Sequence, residues 1–298
     1  MVSDMKNITR AEKVFIIVSF ILLGLLALMI VVPMISVVIN SFVSAAETAR
    51  RGQFILWPED WDFTAYKMLF NSDRIYSGYV NTLFVTFVGT GLSMLMTICT
   101  AYPLSKKDLR GRNGILAMIF FTMLFNAGII PNFLLVKTIG LLDTRWALVL
   151  PYLLNTWNML MMRNFFYAIP DALEEAAFLD GANQLQIIVK VVLPLSLPSI
   201  ATISMFYAVA FWNAWFPGVM YLTNKNLQPV QNVMRSIIVA ASGNLEDIGV
   251  SVDDVQVLPT SNTLKCASIV ITTVPILLVY PFIQKYFVKG AMVGSVKG

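Results

Sequence analysis

Asp171, Glu174, Glu175 and Asp180 fall within one ten-residue stretch of this 298-residue chain, with no basic residue among them. Glu174 and Glu175 share the stretch with Phe178 and Leu179. Acids and large apolar side chains on one short helix suit a segment that enters a groove on a partner. Catalysis has little to work with. The chain holds no histidine, which removes His general bases and His metal ligands. It has no GxxxxGK[ST] sequence and therefore no P-loop. Cys99 and Cys266 lie in or beside apolar runs and read as small apolar residues, not as a disulfide or a metal pair. The carboxylate pair Asp253-Asp254 reads as part of a solvated loop.

The residues around the acids specify their own local structure. Asp171 follows Pro170 and has Glu174 three residues on, a capping-box-like start. Ala172 to Leu179 are good helix formers. Asp180-Gly181 ends the helix, with Gly181 suited to a left-handed position. A second amphipathic stretch from Ala182 leads to Leu193 and Pro194. The segment 163–192 is therefore expected to be a short helix, a turn, and a helix returning to the apolar core.

That core is a membrane core. Hydrophobic residues make up 57% of the chain and charged residues 13%, at a mean hydropathy of +0.73, against about 25% charged in soluble domains. Six apolar stretches, 14–39, 78–102, 115–136, 144–162, 193–217 and 266–284, contain a single charge, Arg145. Each is close to the roughly 17–25 residues that span a bilayer. The expected fold is all-α and polytopic, with six transmembrane helices. The first stretch is too long for a signal-peptide core of about 7–15 residues, and is read as an uncleaved anchor despite Val43-Ser44-Ala45. Basic residues are denser in 1–13, 103–114, 163–192 and 285–298 than in 40–77, 137–143 and 218–265. This places both termini in the cytoplasm. The net charge of +4 then reflects cytoplasmic loops, not nucleic-acid binding. The outside segments 40–77 and 218–265 are long enough to fold on the surface. Gly78, Gly89 and Gly91 are expected to allow close helix approach. The spans offer almost no ionisable groups for a proton relay, and Arg145 lies near an end from which it can snorkel.

The stretch Glu175-Ala176-Ala177, Gly181 six residues after the Glu, and the ending Val191-Val192-Leu193-Pro194 together resemble the cytoplasmic signature of type I ATP-binding-cassette importer permeases. Only Val191 departs, from Ile. The carboxyl end from Gln284 to Gly298 is similar to the tail of the carbohydrate branch, including maltose-type smaller permeases and Gram-positive polysaccharide and lipoprotein-cluster permeases. The resemblance implies the type I importer permease fold in a bacterial plasma membrane. It implies a cytoplasmic coupling helix that docks on an ATPase subunit through Glu174, Glu175, Ala176, Ala177, Phe178, Asp180 and Gly181. It further implies a tail that reaches the ATPases through Lys289, Gly290, Gly294 and Lys297.

The implied partners are a second permease subunit, usually a different chain, two ATPase subunits, an extracellular substrate-binding protein, and a sugar or oligosaccharide. No cofactor is expected on this chain, since ATP and Mg would be bound by the ATPases. Sugars are held by aromatic faces and amides, so Asn126, Asn155, Trp157, Asn158, Trp212, Asn213 and Trp215 are candidates for the substrate pathway. Asn155 with Asn158, and Trp212 with Trp215, are each spaced to share a helix face. Interhelical hydrogen bonding and an interfacial aromatic belt account for the same residues equally well. An ion-coupled carrier or channel is the alternative reading of the chain. It predicts transport by this chain alone and leaves the 170–194 segment without a purpose.

Overall fold

A computed structural model of the chain describes residues 9–52, 55–242 and 259–295. Among the described residues the structure is helical, with no strand. The chain divides into two units, one from 1–71 with 237–271 and the other from 72–236 with 272–298. The pair Asp253-Asp254 lies outside the described residues.

In the first unit, α1 (Arg10–Asn40) is a continuous helix without a charged residue from Val14 onward. Thr9 and Glu12 form a capping box at its start. Its apolar side chains are exposed around the helix, as suits contact with lipid or with another subunit. Two short helices follow, α2 (Ala45–Arg51) and α3 (Thr64–Phe70). Phe42 stacks on Tyr66 at 4.9 Å, and Ser41 and Tyr66 share a hydroxyl bond of 2.7 Å. The Glu47 carboxylate is buried, but it accepts the Arg51 guanidinium at 2.6 Å and the Glu59 N–H at 3.1 Å. A buried charge is tolerated only when paired in this way.

The second unit is built on α4 (Asp73–Ser105), which packs along two later helices, α7 and α11. After it come α5 (Arg112–Leu124), α6 (Ile129–Thr138), α7 (Thr156–Tyr167), α8 (Asp171–Leu179), α9 (Gln184–Ile187), a π turn, α10 (Leu193–Leu195), α11 (Leu197–Trp212) and α12 (Trp215–Tyr221). α13 (Val230–Ser242) and α14 (Ser261–Ser295) contribute to both units. A Cβ at Gly78 would meet Val230 and Val233 at 3.1 Å, and one at Gly89 would meet the Phe211 ring at 2.9 Å. Both glycines therefore serve close approach. Gly91 does not, since nothing lies within 4 Å of its Cβ position. Asn81 donates to the carbonyls of Asn226 and Gln228, and the Thr82 hydroxyl accepts the Val230 N–H at 2.8 Å. These bonds fix the 3-10 turn and the loop that lead into α13 against α4.

Among the described residues three helices, Ala11–Asn40, Asp73–Ser105 and Ser261–Leu278, are long and apolar enough to cross a bilayer singly, and two bent pairs raise the number to five. The expected span 115–136 turns by 111° between α5 and α6. Gly128, at φ +86°, takes a conformation open to glycine, and its N–H is held by the Asn126 side chain at 2.9 Å. The expected span 193–217 bends by 82° near Ser196, where Pro194 and Pro198 remove backbone donors, and α11 stops at Trp212. The expected span 144–162 is not one helix. It is two 3-10 turns, Arg145–Leu148 and Leu150–Tyr152, and then α7. Pro151 near the start of the second turn and Asn155 capping α7 divide the stretch. Arg145 lies over the Phe84 ring at 5.3 Å, a cation–π contact within the protein.

Candidate functional site

Two places in the second unit hold the candidate residues. The first is α8 with its flanks. Pro170 is extended (φ −60°, ψ 128°) and serves as N-cap without a side-chain bond, so Asp171 is already the first helical residue. The expected capping box between Asp171 and Glu174 therefore does not form. The Glu174 carboxylate turns inward instead. It accepts the Tyr102 hydroxyl of α4 at 2.9 Å and is paired with Lys106. The Gln184 amide donates to the same Tyr102 oxygen at 2.9 Å, and Lys107 reaches Asp171 at 3.5 Å.

The end of α8 forms as its residues require. The Gly181 N–H donates to the Phe178 carbonyl and the Ala182 N–H to the Ala177 carbonyl, each at 3.0 Å. Gly181 has φ +83°. This is a Schellman ending, which satisfies carbonyls that the helix leaves open. Asn183 then opens α9 in a true capping box with Gln186, with bonds of 2.9 Å in both directions. The spacing Asn183-x-x-Gln186 was the available signal for it.

One turn thus separates the two adjacent glutamates by role. Glu174 is tied to α4, while Glu175, Ala176, Phe178, Leu179 and Asp180 are exposed and Ala177 is half-buried against the core. Leu179 is 86% exposed and Phe178 68%. A shallow depression beside them, about 430 Å³, is lined by Glu174, Glu175, Phe178, Leu179, Gln184 and Ile187. Exposed apolar side chains on a pinned helix next to a concavity are the kind of surface that a partner covers.

The second place is a cavity of about 720 Å³ between the 144–158 segment and α11. Asn155, Trp157, Asn158 and Asn213 come together on its wall with Tyr152 and Tyr207. Asn155 is not a face-mate of Asn158 within one helix. It is the N-cap of α7, and its side-chain oxygen accepts the Asn158 N–H at 3.0 Å. The Asn155 N–H donates to the Tyr207 hydroxyl at 3.0 Å, which also meets the Thr97 hydroxyl at 2.8 Å. Sequence reasoning overlooked Tyr152 and Tyr207, since tyrosines in apolar runs pass for packing residues.

Three candidates lie elsewhere. Asn126 caps the bend before Gly128. Trp212 is buried on the wall of a separate apolar pocket with Tyr79, Leu83 and Phe87. Trp215 lies under the Arg235 guanidinium at 4.7 Å, and its carbonyl accepts from Asn232. Trp212 and Trp215 do not share a helix, because α11 ends between them at Asn213. Lys289, Gly290 and Gly294 lie in α14, and Lys297 is outside the described residues. Among the described residues no cluster of His, Cys, Asp and Glu is arranged to hold a metal.

Residues 73–293 match the model of the family described as the binding-protein-dependent transport system inner membrane component. The chain belongs to that family. A permease of this kind is the multi-pass membrane subunit of an ABC importer, without an ATPase site of its own. The permease is 46% identical to the polygalacturonan/rhamnogalacturonan transport system permease protein YtcP of Bacillus subtilis, over 91% of this chain and 94% of that one. It is 39% identical to protein LplC of the same organism, over 97% of each. It also superposes on a chain from the crystal structure of a bacterial ABC transporter that imports the acidic polysaccharide alginate. The TM-score is 0.87 at 37% identity, covering 95% of this permease and 100% of that chain. The all-α architecture is therefore the type I importer permease fold.

Proposed function

We propose that this chain is the permease of an ATP-driven importer for acidic oligosaccharides, fed by an extracellular binding protein. The observation that carries the substrate class is the near full-length 46% identity to a permease named for polygalacturonan and rhamnogalacturonan. The second permease is a different chain, and two ATPase subunits bind ATP and Mg. Both termini are cytoplasmic, which puts α8 on the ATPase side. There Glu175 pairs with a basic residue of the ATPase, and Phe178 and Leu179 fill its cleft. Lys289, Gly290, Gly294 and Lys297 extend the contact from the tail. ATP binding draws the coupling helices together and opens the pathway outward. The cavity walled by Trp157, Asn158 and Asn213 then receives sugar, with Trp157 offering a ring face and the asparagines offering amide bonds.

Reconstitution of the complete complex tests the reading. Glu175→Lys is expected to abolish hydrolysis stimulated by binding protein loaded with oligogalacturonide. Unchanged stimulation in an intact complex would overturn the assignment of α8, and failure of labelled oligogalacturonide to enter wild-type vesicles would overturn the substrate class.

A further inference from the structure

The contacts that pin α8 do not stop at its own base. Tyr102, which holds Glu174, is buried at 4% exposure near the end of α4. Lys106 both pairs with Glu174 and sits 4.6 Å over the Tyr102 ring. The Leu104 carbonyl between them accepts from Arg112 at 3.1 Å and from Arg163 at 3.2 Å. Those two bonds tie the end of α4 to the start of α5 and to α7. Farther along α4, Thr97 is fully buried and meets the Tyr207 hydroxyl, which holds the Asn155 N–H at the cavity wall. A continuous helix thus carries a buried polar joint to α8 at one place and another to the cavity at a second. Breaking either joint would strand a buried polar group, which is costly. A rigid helix segment displaced at Tyr102 must therefore displace Thr97 with it.

We propose that the Thr97–Tyr102 segment of α4 is the link that transmits movement of α8 to the cavity. Tyr102 and Thr97 act as positioning residues at its two ends. Glu174, on this assignment, is an internal strut and not an ATPase contact. The inference rests on the reading of α8 as the ATPase-docking helix. Two packed elements joined by paired polar contacts supply the physical continuity that coupling between distant sites needs.

The test uses the whole complex in lipid nanodiscs, with a photo-crosslinker at Phe178 to report docking of α8 on the ATPase. Hydrolysis is measured with and without binding protein loaded with oligogalacturonide. Tyr102→Phe and Thr97→Val keep side-chain shape and remove one hydroxyl each. Both are expected to retain the crosslink and basal hydrolysis, while the ratio of stimulated to basal hydrolysis falls about fivefold or more. A purely structural role would lower yield and basal hydrolysis together and leave the ratio unchanged. Ratios within about twofold of the unsubstituted complex in both variants, with the crosslink present, would overturn the proposal. If Tyr102→Phe fails to assemble, Thr97→Val decides alone. Loss of the crosslink in the unsubstituted complex would instead sink the docking of α8, and the hydrolysis ratio would still decide the role of α4.

Discussion

Gly89 of α4 lies against the ring of Phe211 in α11, so closely that a Cβ there would sit 2.9 Å from two ring carbons. Phe211 is buried and lines the cavity between the 144–158 segment and α11. Gly89→Ala gains about 1 kcal/mol of helix propensity but must push a packed ring aside, at about 1–3 kcal/mol. Its thermal unfolding midpoint in detergent should fall. Gly91→Ala, with open space around it, should match the parent or exceed it. The pair separates packing from propensity in one melting experiment.

Gly181 ends α8 at φ +83°. An L side chain in that conformation costs about 1–2 kcal/mol, while Asn tolerates it better. Gly181→Ala should therefore loosen the α8–α9 turn more than Gly181→Asn. Amide hydrogen exchange at Ala182 reads this directly, because its N–H closes the Schellman bond to Ala177.

Asp143 is the one non-glycine residue with positive φ among the described residues, at 56°. Its carboxylate accepts the N–H groups of Thr223 and Asn224 at 2.5 and 2.8 Å, and its own N–H donates to the Tyr221 carbonyl. Bonds to a charged acceptor contribute about 1.5–3 kcal/mol. Asp143→Ala should lower stability by roughly that amount. Asp143→Asn, which keeps one acceptor and suits left-handed backbone, should lose less. Thermal melts of the two variants rank them.

The cavity residues predict a split among the asparagines and tryptophans. Trp157→Ala and Asn213→Ala should raise the half-saturating substrate level for uptake about tenfold, the equivalent of about 1.4 kcal/mol. Asn126→Ala, at the α5–α6 bend, should leave it unchanged. Uptake of labelled oligogalacturonide by vesicles holding the complete complex measures all three.

Much of this was legible along the chain. The helix from Asp171 to Leu179, its stop at Asp180-Gly181 and the return through Leu193-Pro194 all follow from capping and turn chemistry, which is local. The cap assigned to Asp171 and Glu174 was not, because the helix starts one residue earlier, with Pro170 as N-cap, and the Glu174 carboxylate is held by Tyr102 and Lys106, far away in sequence. The same limit applies to the spans. Apolar length marks 144–162 as membrane-embedded, but two short 3-10 turns and a capped helix satisfy it as well as one helix does. At the cavity, Asn155 and Asn158 are adjacent as expected, for a different reason: one caps the other. Trp212 and Trp215 part because the helix between them ends, an event that no residue type there demands. Gly91 meets no other part of its own chain, because glycine in an apolar run states only that backbone can approach there, not that it does.

Phe178 and Leu179 are largely uncovered on the isolated chain. Each leaves roughly 1.5–3 kcal/mol of burial unrealised until something covers it. An orphan copy, synthesised in excess of its companions, therefore displays a sticky knob for as long as it waits. Chaperones and proteases triage chains that leave such surface bare, so on the docking proposed above the tip of α8 is covered in a finished complex and bare in a surplus copy. Balanced production of the subunits is then a matter of the permease's survival as well as of its activity.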